Sequence, residues 1–237
     1  MLEAYAVSDP GCIRPNNEDY FISDTDAGIF ILADGMGGAN GGEYASHISA
    51  ELLYESLREF PRDGESSIQT AFSQANTAVR EAARENPELD GMGTTLLAVR
   101  STGDARFEIA SVGDSRAYLA SRGELSLLTE DQTWVAEVGS RLGLSDEALR
   151  KHPMRHVLTM AIGTAEELRI FFREVKLVSG DQLLLCSDGL HGVISERILS
   201  ETLDSAKTLS EKCHSLIDAA KGAGGPDNVT VVLIQLV

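Results

Sequence analysis

The stretch that most constrains the fold is residues 30–38, Phe-Ile-Leu-Ala-Asp-Gly-Met-Gly-Gly, an apolar run that ends in Asp34 and then in Gly35, Gly37 and Gly38. Such a run reads as a strand, and a strand fixes where the carboxylate at its end points. Glycine lacks a Cβ, so the backbone after Asp34 is free to turn sharply and bring its own carbonyl and N–H groups close to whatever the carboxylate holds. That is how an ion site is built. A dinucleotide fingerprint would need glycine at position 40, which is Asn40, and an aspartate before the loop would repel a pyrophosphate. For this stretch alone an ordinary Asp-Gly turn between two strands fits equally well, and the rest of the chain decides.

Two more aspartates sit in similar settings. An expected strand over 182–186 ends in Ser187-Asp188-Gly189, and the glycine-rich turn 222–228, which carries Asp227 and Asn228, leads into a nearly all-apolar run over 229–236. A run that apolar is expected to be a central strand. Carboxylates that converge at one rim repel one another unless cations neutralise them. The candidate ligands are all oxygens, and none of His47, His152, His156, His191 and His214 has H-x-x-x-H or Cys/His spacing, so hard Mg²⁺ or Mn²⁺ is expected rather than Zn²⁺. The histidines are expected at the surface or behind the ligands.

The charge agrees: 37 Asp+Glu against 20 Lys+Arg give a net charge of -17, which argues against nucleic acid and anionic membrane as partners. Cys12, Cys186 and Cys213 are odd in number and widely spaced, and are expected to be core thiols in a reducing compartment. No cationic start followed by an apolar run and no run of membrane-spanning length occurs, so a soluble, cytoplasmic protein is expected. No linker interrupts the 237 residues, which points to one domain.

Along the chain, a strand over 2–8 and a turn at 9–11 precede a hairpin formed by 20–22 and 28–33. A helix follows with Ile48, Leu52, Leu53, Leu57 and Phe60 at helical spacing, ending before Pro61. The next carries Ile68, Phe72, Ala75, Val79 and Ala82 on one face and opens on a Ser66/Gln69 capping pattern. Short β-rich runs at 94–100, 106–112, 115–120 and 124–128 read as an antiparallel meander. A short helix is expected over 131–141 with Trp134, Val135 and Val138 inward, then an irregular stretch over 139–164 suited to a loop over a site. Strands over 168–177 and 182–186 and a helix with Ala206, Leu209, Cys213, Leu216 and Ala220 on one face precede the final strand.

Six segments, in order, resemble the motifs of the PP2C, or PPM, metal-dependent Ser/Thr protein phosphatases. They are residues 14–19, 34–38, 93–95, 112–116, 184–190 and 226–228, and the size resembles the stand-alone bacterial members that oppose Ser/Thr kinases. The resemblance implies an α+β fold, a four-layer α-β-β-α sandwich with two central antiparallel β-sheets flanked by helices, as a single catalytic domain over 1–237. It implies that Asp34 bridges two tightly bound Mn²⁺ or Mg²⁺ ions, that the Gly35 carbonyl binds one of them, and that Asp188 and Asp227 complete the other. Glu18 and Asp19 would act mostly through metal-bound waters, Asn228 would support the ligands from behind, and Arg14 would hold the substrate phosphate with its planar fork. Asp114, alone a turn aspartate, would share a weaker third ion with Asp188.

The implied reaction is hydrolysis of phosphoserine and phosphothreonine in proteins by a water that two cations about 3.5–4 Å apart acidify. No covalent nucleophile is needed, and no G-x-S-x-G or Cys-loop-Arg arrangement surrounds Ser187 or Cys186. The implied partners are phosphoproteins made by a cognate kinase, met by a monomer. One departure stands out: many members carry histidine where this chain has Met36, and methionine donates no proton. The alternative is a catalytically silent pseudophosphatase that binds a kinase or phosphoprotein as a regulatory module. Residues 139–164 match the position of the family's variable flap.

Overall fold

A computed structural model describes residues 1–37, 41–59, 65–139, 141–143, 148–149 and 152–237. Gly38, Phe60, Pro61 and parts of the 139–164 stretch lie outside the described residues. The elements in chain order are β1 (Leu2–Asp9), β2 (Asp19–Asp24), β3 (Ile29–Met36), α1 (Gly41–Glu59), α2 (Glu65–Glu85), β4 (Gly93–Thr94), β5 (Leu96–Gly103), β6 (Arg106–Val112), β7 (Arg116–Ser121) and β8 (Glu124–Leu127). After the flap come β9 (Phe171–Lys176), β10 (Gln182–Cys186), α3 (Asp188–His191), α4 (Glu196–Asp204), α5 (Leu209–Gly222) and β11 (Val229–Leu236).

The strands form two antiparallel sheets. One has the order β1-β11-β10-β7-β8; the other runs β2-β3-β5-β6-β9, with β4 paired to β3. Strand parity explains the layers, because successive side chains point to opposite faces. Phe30 and Leu32 of β3, Leu97 and Val99 of β5, Leu183 and Leu185 of β10, and Val232 and Ile234 of β11 meet in one core between the sheets. Their neighbours turn outward. Ile29, Ile31 and Ala33 pack against Leu53, Leu57, Phe72 and Val79 of α1 and α2, while Leu184, Cys186, Val231 and Leu233 pack against Leu199 of α4 and Leu216 of α5. Both faces of each central strand are therefore buried, which is why their sequences are apolar without alternation. The result is the expected four-layer α-β-β-α sandwich, with β11 central in its sheet.

Four local expectations are corrected. The supposed meander divides between the sheets: β5 and β6 pair in one, β7 and β8 in the other, and the chain crosses over at Gly113-Asp114-Ser115. A glycine-aspartate turn has the same composition whether it closes a hairpin or changes sheets. The Ser66/Gln69 box does not form, because α2 already includes Glu65 and the Gln69 amide donates to the Glu65 carboxylate at 2.8 Å. The capping box that does form is Thr208 with Glu211 at the start of α5. Val138 is exposed, since only a π-helical turn, Val135–Gly139, stands where a longer inward-facing helix was expected, and Cys12 is an exposed thiol while Cys186 and Cys213 are buried. Among the described residues no helix is long and apolar enough to cross a membrane.

Candidate active site

The same parity that builds the core places the acids. On β3, Asp34 continues the face of Phe30 and Leu32, and on β2 its direct partner in the register is Asp19, so both carboxylates sit at the rim of the inter-sheet space. Opposite, β10 ends at Cys186 and Asp188 opens α3, while Asp227 lies just before β11. The sheet crossover adds Asp114, which is 7 % exposed. Glu18, Asp34, Gly35, Asp114, Asp188, Asp227 and Asn228 together line a cavity of about 620 Å³, with Arg14 at its edge and Met36, Thr95, His156 and Leu158 completing the walls.

Close approach of backbone here depends on glycine. A Cβ on Gly35 would run into the Gly42 and Glu18 carbonyl oxygens, and one on Gly42 into the Glu18 carboxylate. The rim is held by a web of hydrogen bonds. Thr95 Oγ1 accepts from the Asp34 N–H at 2.9 Å and meets Ser115 Oγ at 2.7 Å. Ser187 and Thr230 hydroxyls donate to Asp19 Oδ2 at 2.8 and 2.6 Å, tying the two sheets together through one carboxylate. Asn228 accepts from the Glu18 N–H and donates to the carbonyls of Pro10 and Asn16, so it holds the Arg14–Glu18 loop in place at the cavity wall.

Electrostatically the site is a cluster of acids. Burial pushes the Asp34 carboxyl well above the usual carboxylate range, and the charges of Asp19, Asp188, Asp114 and Asp227 push it further. Burial likewise pushes Asp114 up to about 8, with Asp188 adding to it, and Asp19 up to about 7 against the pull of its two hydroxyl donors. Burial would raise Asp188 too, but the hydrogen bond with His156 holds it below the ordinary value. His156 Nδ1 lies 3.4 Å from Asp188 Oδ2, and Arg14 pairs with Asp227 at 2.8 Å.

These residues fit a pair of hard cations. Every ligand atom is an oxygen, the acids destabilise one another in a way that positive charge reverses, and Asp19 Oδ1 is a buried acceptor with no hydrogen-bond donor among the described residues. Two of the carboxylates lining the cavity are drawn to protein partners, Asp188 to His156 and Asp227 to Arg14. Among the described residues no three His, Cys, Asp or Glu side chains are closed into a ready ligand cluster.

Of the residues expected at the site, Arg14, Glu18, Asp34, Gly35, Asp114, Asp188, Asp227 and Asn228 line the cavity, while Asp19 lies buried behind it, paired with Asp34 in the register and held by Ser187 and Thr230. Sequence reasoning missed His156, which the flap delivers, and the supporting roles of Thr95, Ser115, Ser187 and Thr230. Thr95, Ser115 and Ser187 fell within the recognised motifs, whereas nothing in the sequence singles out Thr230 or ties His156 to Asp188.

Comparison with known proteins places this geometry. The family described as Protein phosphatase 2C matches residues 14–223. The serine/threonine protein phosphatase PstP of Mycobacterium tuberculosis is 37% identical over 239 residues, covering 100% of this chain; the chain spans 45% of that protein's length. The serine/threonine phosphatase stp of Listeria monocytogenes is 36% identical over 96% of this chain and 93% of its own. A crystal structure of the catalytic domain of PstP in complex with 2 manganese ions superposes with a TM-score of 0.87 at 36% identity, over 100% of this chain and 98% of that one.

Proposed function

The chain belongs to the protein phosphatase 2C family, and we propose that it is a single catalytic domain that hydrolyses phosphoserine and phosphothreonine in proteins with the help of two divalent cations, Mn²⁺ or Mg²⁺. The observation that carries this reading is the convergence of Asp19, Asp34, Asp114, Asp188 and Asp227 at one rim between the sheets, next to the guanidinium of Arg14. Asp34, the Gly35 carbonyl, Asp188 and Asp227 would hold the two ions, Glu18 and Asp19 would act mostly through water, and Asp114 with Asp188 would take a weaker third. When bound, the cations supply Lewis-acid charge against the phosphoryl oxygens and an acidified water.

The chain's own residues do the rest. Arg14, 54 % exposed at the cavity edge, is free to swing between Asp227 and an entering phosphate. Thr95 and Asn228 fix the backbones that carry Asp34 and Glu18. Met36 and Leu158 give the cavity apolar wall, and Met36 offers no proton to a leaving alkoxide. The physiological substrates would be products of a Ser/Thr kinase, met in the cytoplasm by a monomer. Phosphate release from a phosphothreonine peptide tests this reading: release that needs Mn²⁺, stops with EDTA and returns with added Mn²⁺ supports it. Peptide binding without release at any Mn²⁺ concentration would identify a silent regulatory module instead.

Two variants divide the labour. Arg14→Ala is expected to raise KM for phosphopeptide roughly ten- to a hundredfold, the loss of one charge-assisted contact of about 1.5–3 kcal/mol, with little change in melting temperature because the Asp227 pair is solvated. An unchanged KM would remove Arg14 from the phosphate site. Asp114→Ala is expected to slow turnover and abolish the rise of the rate at high Mn²⁺. Its melting temperature should not fall, because burial makes the charged form of Asp114 unfavourable. A lowered melting temperature with an unaltered Mn²⁺ curve would return Asp114 to a turn residue.

A further inference from the structure

Gln132 is 6 % exposed and lies outside the cavity, yet it joins three segments that the cavity depends on. Its side-chain Oε1 accepts from the Gly113 N–H at 2.8 Å, and its Nε2 donates to the Arg169 carbonyl at 2.6 Å. Its backbone N–H donates to the Gly113 carbonyl at 3.0 Å, and its carbonyl accepts from the Thr159 N–H at 2.8 Å. Both polar groups of Gly113 therefore answer to one residue. Gly113 is the crossover between sheets and adopts φ 103°; it precedes Asp114 and is packed so closely on Thr95 that a Cβ would stand 2.7 Å from Thr95 Cγ2. Thr95 in turn accepts from the Asp34 N–H.

On the other side, Thr159 follows His156 and Leu158, the flap residues that line the cavity. The Thr133–Leu158 bridge and the hydrogen bond from the Trp134 N–H to the Val157 carbonyl at 2.8 Å continue the same seam. Arg116 and Asp131 flank it with a forked ion pair at 2.9 and 2.6 Å. The Asp114 turn has a footing of its own in the 3.0 Å contact of its carbonyl with His191 Nε2, and the flap has one in the Thr94–Ile162 bridge, but one side chain and its backbone link the two. Each is hydrogen-bonded to Gln132.

We propose that Gln132 is a positioning residue that holds the Asp114 turn and the flap stretch 156–159 in one frame, and thereby sets how tightly the site takes its weakest cation. The inference rests on the cation-dependent phosphatase reading above. Groups that orient metal ligands from behind typically change metal affinity by roughly ten- to a hundredfold when removed. A glutamine used only to satisfy buried backbone would instead affect stability alone.

The test compares wild type with Gln132→Met, which removes both side-chain hydrogen bonds, and Gln132→Asn, a milder change whose shorter amide falls short of the Gly113 N–H. Mn²⁺ binding is followed by calorimetry, and p-nitrophenyl phosphate hydrolysis is followed as a function of Mn²⁺. The weakest Mn²⁺ binding event is expected to move to roughly tenfold higher concentration in both variants, with the tight events unchanged and the hydrolysis rate recovering at saturating Mn²⁺. Leu216→Ala, a core variant of α5 in the opposite layer, is expected to lower the melting temperature while keeping wild-type Mn²⁺ curves. Gln132 variants that melt lower but bind Mn²⁺ like wild type would overturn the proposal. If no protein hydrolyses the ester while the binding shift persists, the phosphatase reading fails and the role of Gln132 stands. If Gln132→Met does not fold, Gln132→Asn decides.

Discussion

Asp34→Asn is expected to lower kcat/KM for phosphopeptide by roughly a hundredfold or more, because even the outer partners of metal ligands cost about ten- to a hundredfold and Asp34 is proposed to touch the ions themselves. The variant keeps the shape of the side chain and the Thr95 hydrogen bond to its backbone, so the fold should persist. Stability should move the other way from activity. In the metal-free protein Asp34 is buried among four other aspartates that raise its pKa. A carboxylate whose folded pKa is raised contributes stability when protonated and loses it as pH climbs through that value. At neutral pH the metal-free Asn variant should therefore melt above metal-free wild type. Added Mn²⁺ should raise the melting temperature of wild type by mass action and that of the variant far less. Wild-type rates at saturating Mn²⁺, or a variant that melts lower without metal, would contradict the placement of Asp34 at the centre of the cluster.

The largest effect on stability is expected far from the cavity, at Glu108. Glu108 on β6 and Arg100 on β5 face each other across the strand pair under α2, at 2 % and 1 % exposure, with Arg100 Nε donating at 2.8 Å. Arg100 also donates to Ser67 Oγ at 3.0 Å, while its Nη1 has no hydrogen-bond partner among the described residues. Glu108→Ala would leave a guanidinium charge buried without its counter-ion, which costs about 3–5 kcal/mol. For a domain of this size that is a drop of roughly 6–20 °C in melting temperature. The double variant Arg100→Met with Glu108→Leu should recover most of the loss, since well-packed apolar residues replace a buried pair at little cost. Residual activity at low temperature should be normal in both. A shift below about 1 kcal/mol in the single variant would mean that the pair is solvated in solution.

That pair also marks where reading the sequence reaches its limit. Arg100 closes the run expected as a strand over 94–100, and nothing local reveals that Glu108, on the next strand, lies directly across from it. The individual strands were legible from their apolar content. Their sorting into two sheets was not, since a strand buried on both faces looks the same whichever sheet it joins. Strand parity placed Asp34 on one face, but only the layers show that this face looks between the sheets, toward Thr230 and Ser187. Those two residues reach Asp19 across 211 and 168 positions of sequence, distances at which spacing carries no signal. Asp34, Asp188 and Asp227 were visible because strand ends and glycine turns announce them, whereas Glu18, Asp19 and Asp114 were assigned only through the family resemblance. His156 and Gln132 were not visible, because their importance lies in partners brought together by the crossover at Gly113 and by the flap.

The most direct test of the whole account is an anomalous-difference map from crystals of this protein soaked in MnCl₂. Two strong peaks in the cavity, bounded by the Asp34, Asp188 and Asp227 carboxylates and the Gly35 carbonyl, with a weaker one near Asp114, are the predicted result. A map with no peak at those carboxylates, from crystals whose protein is folded as described, would contradict it.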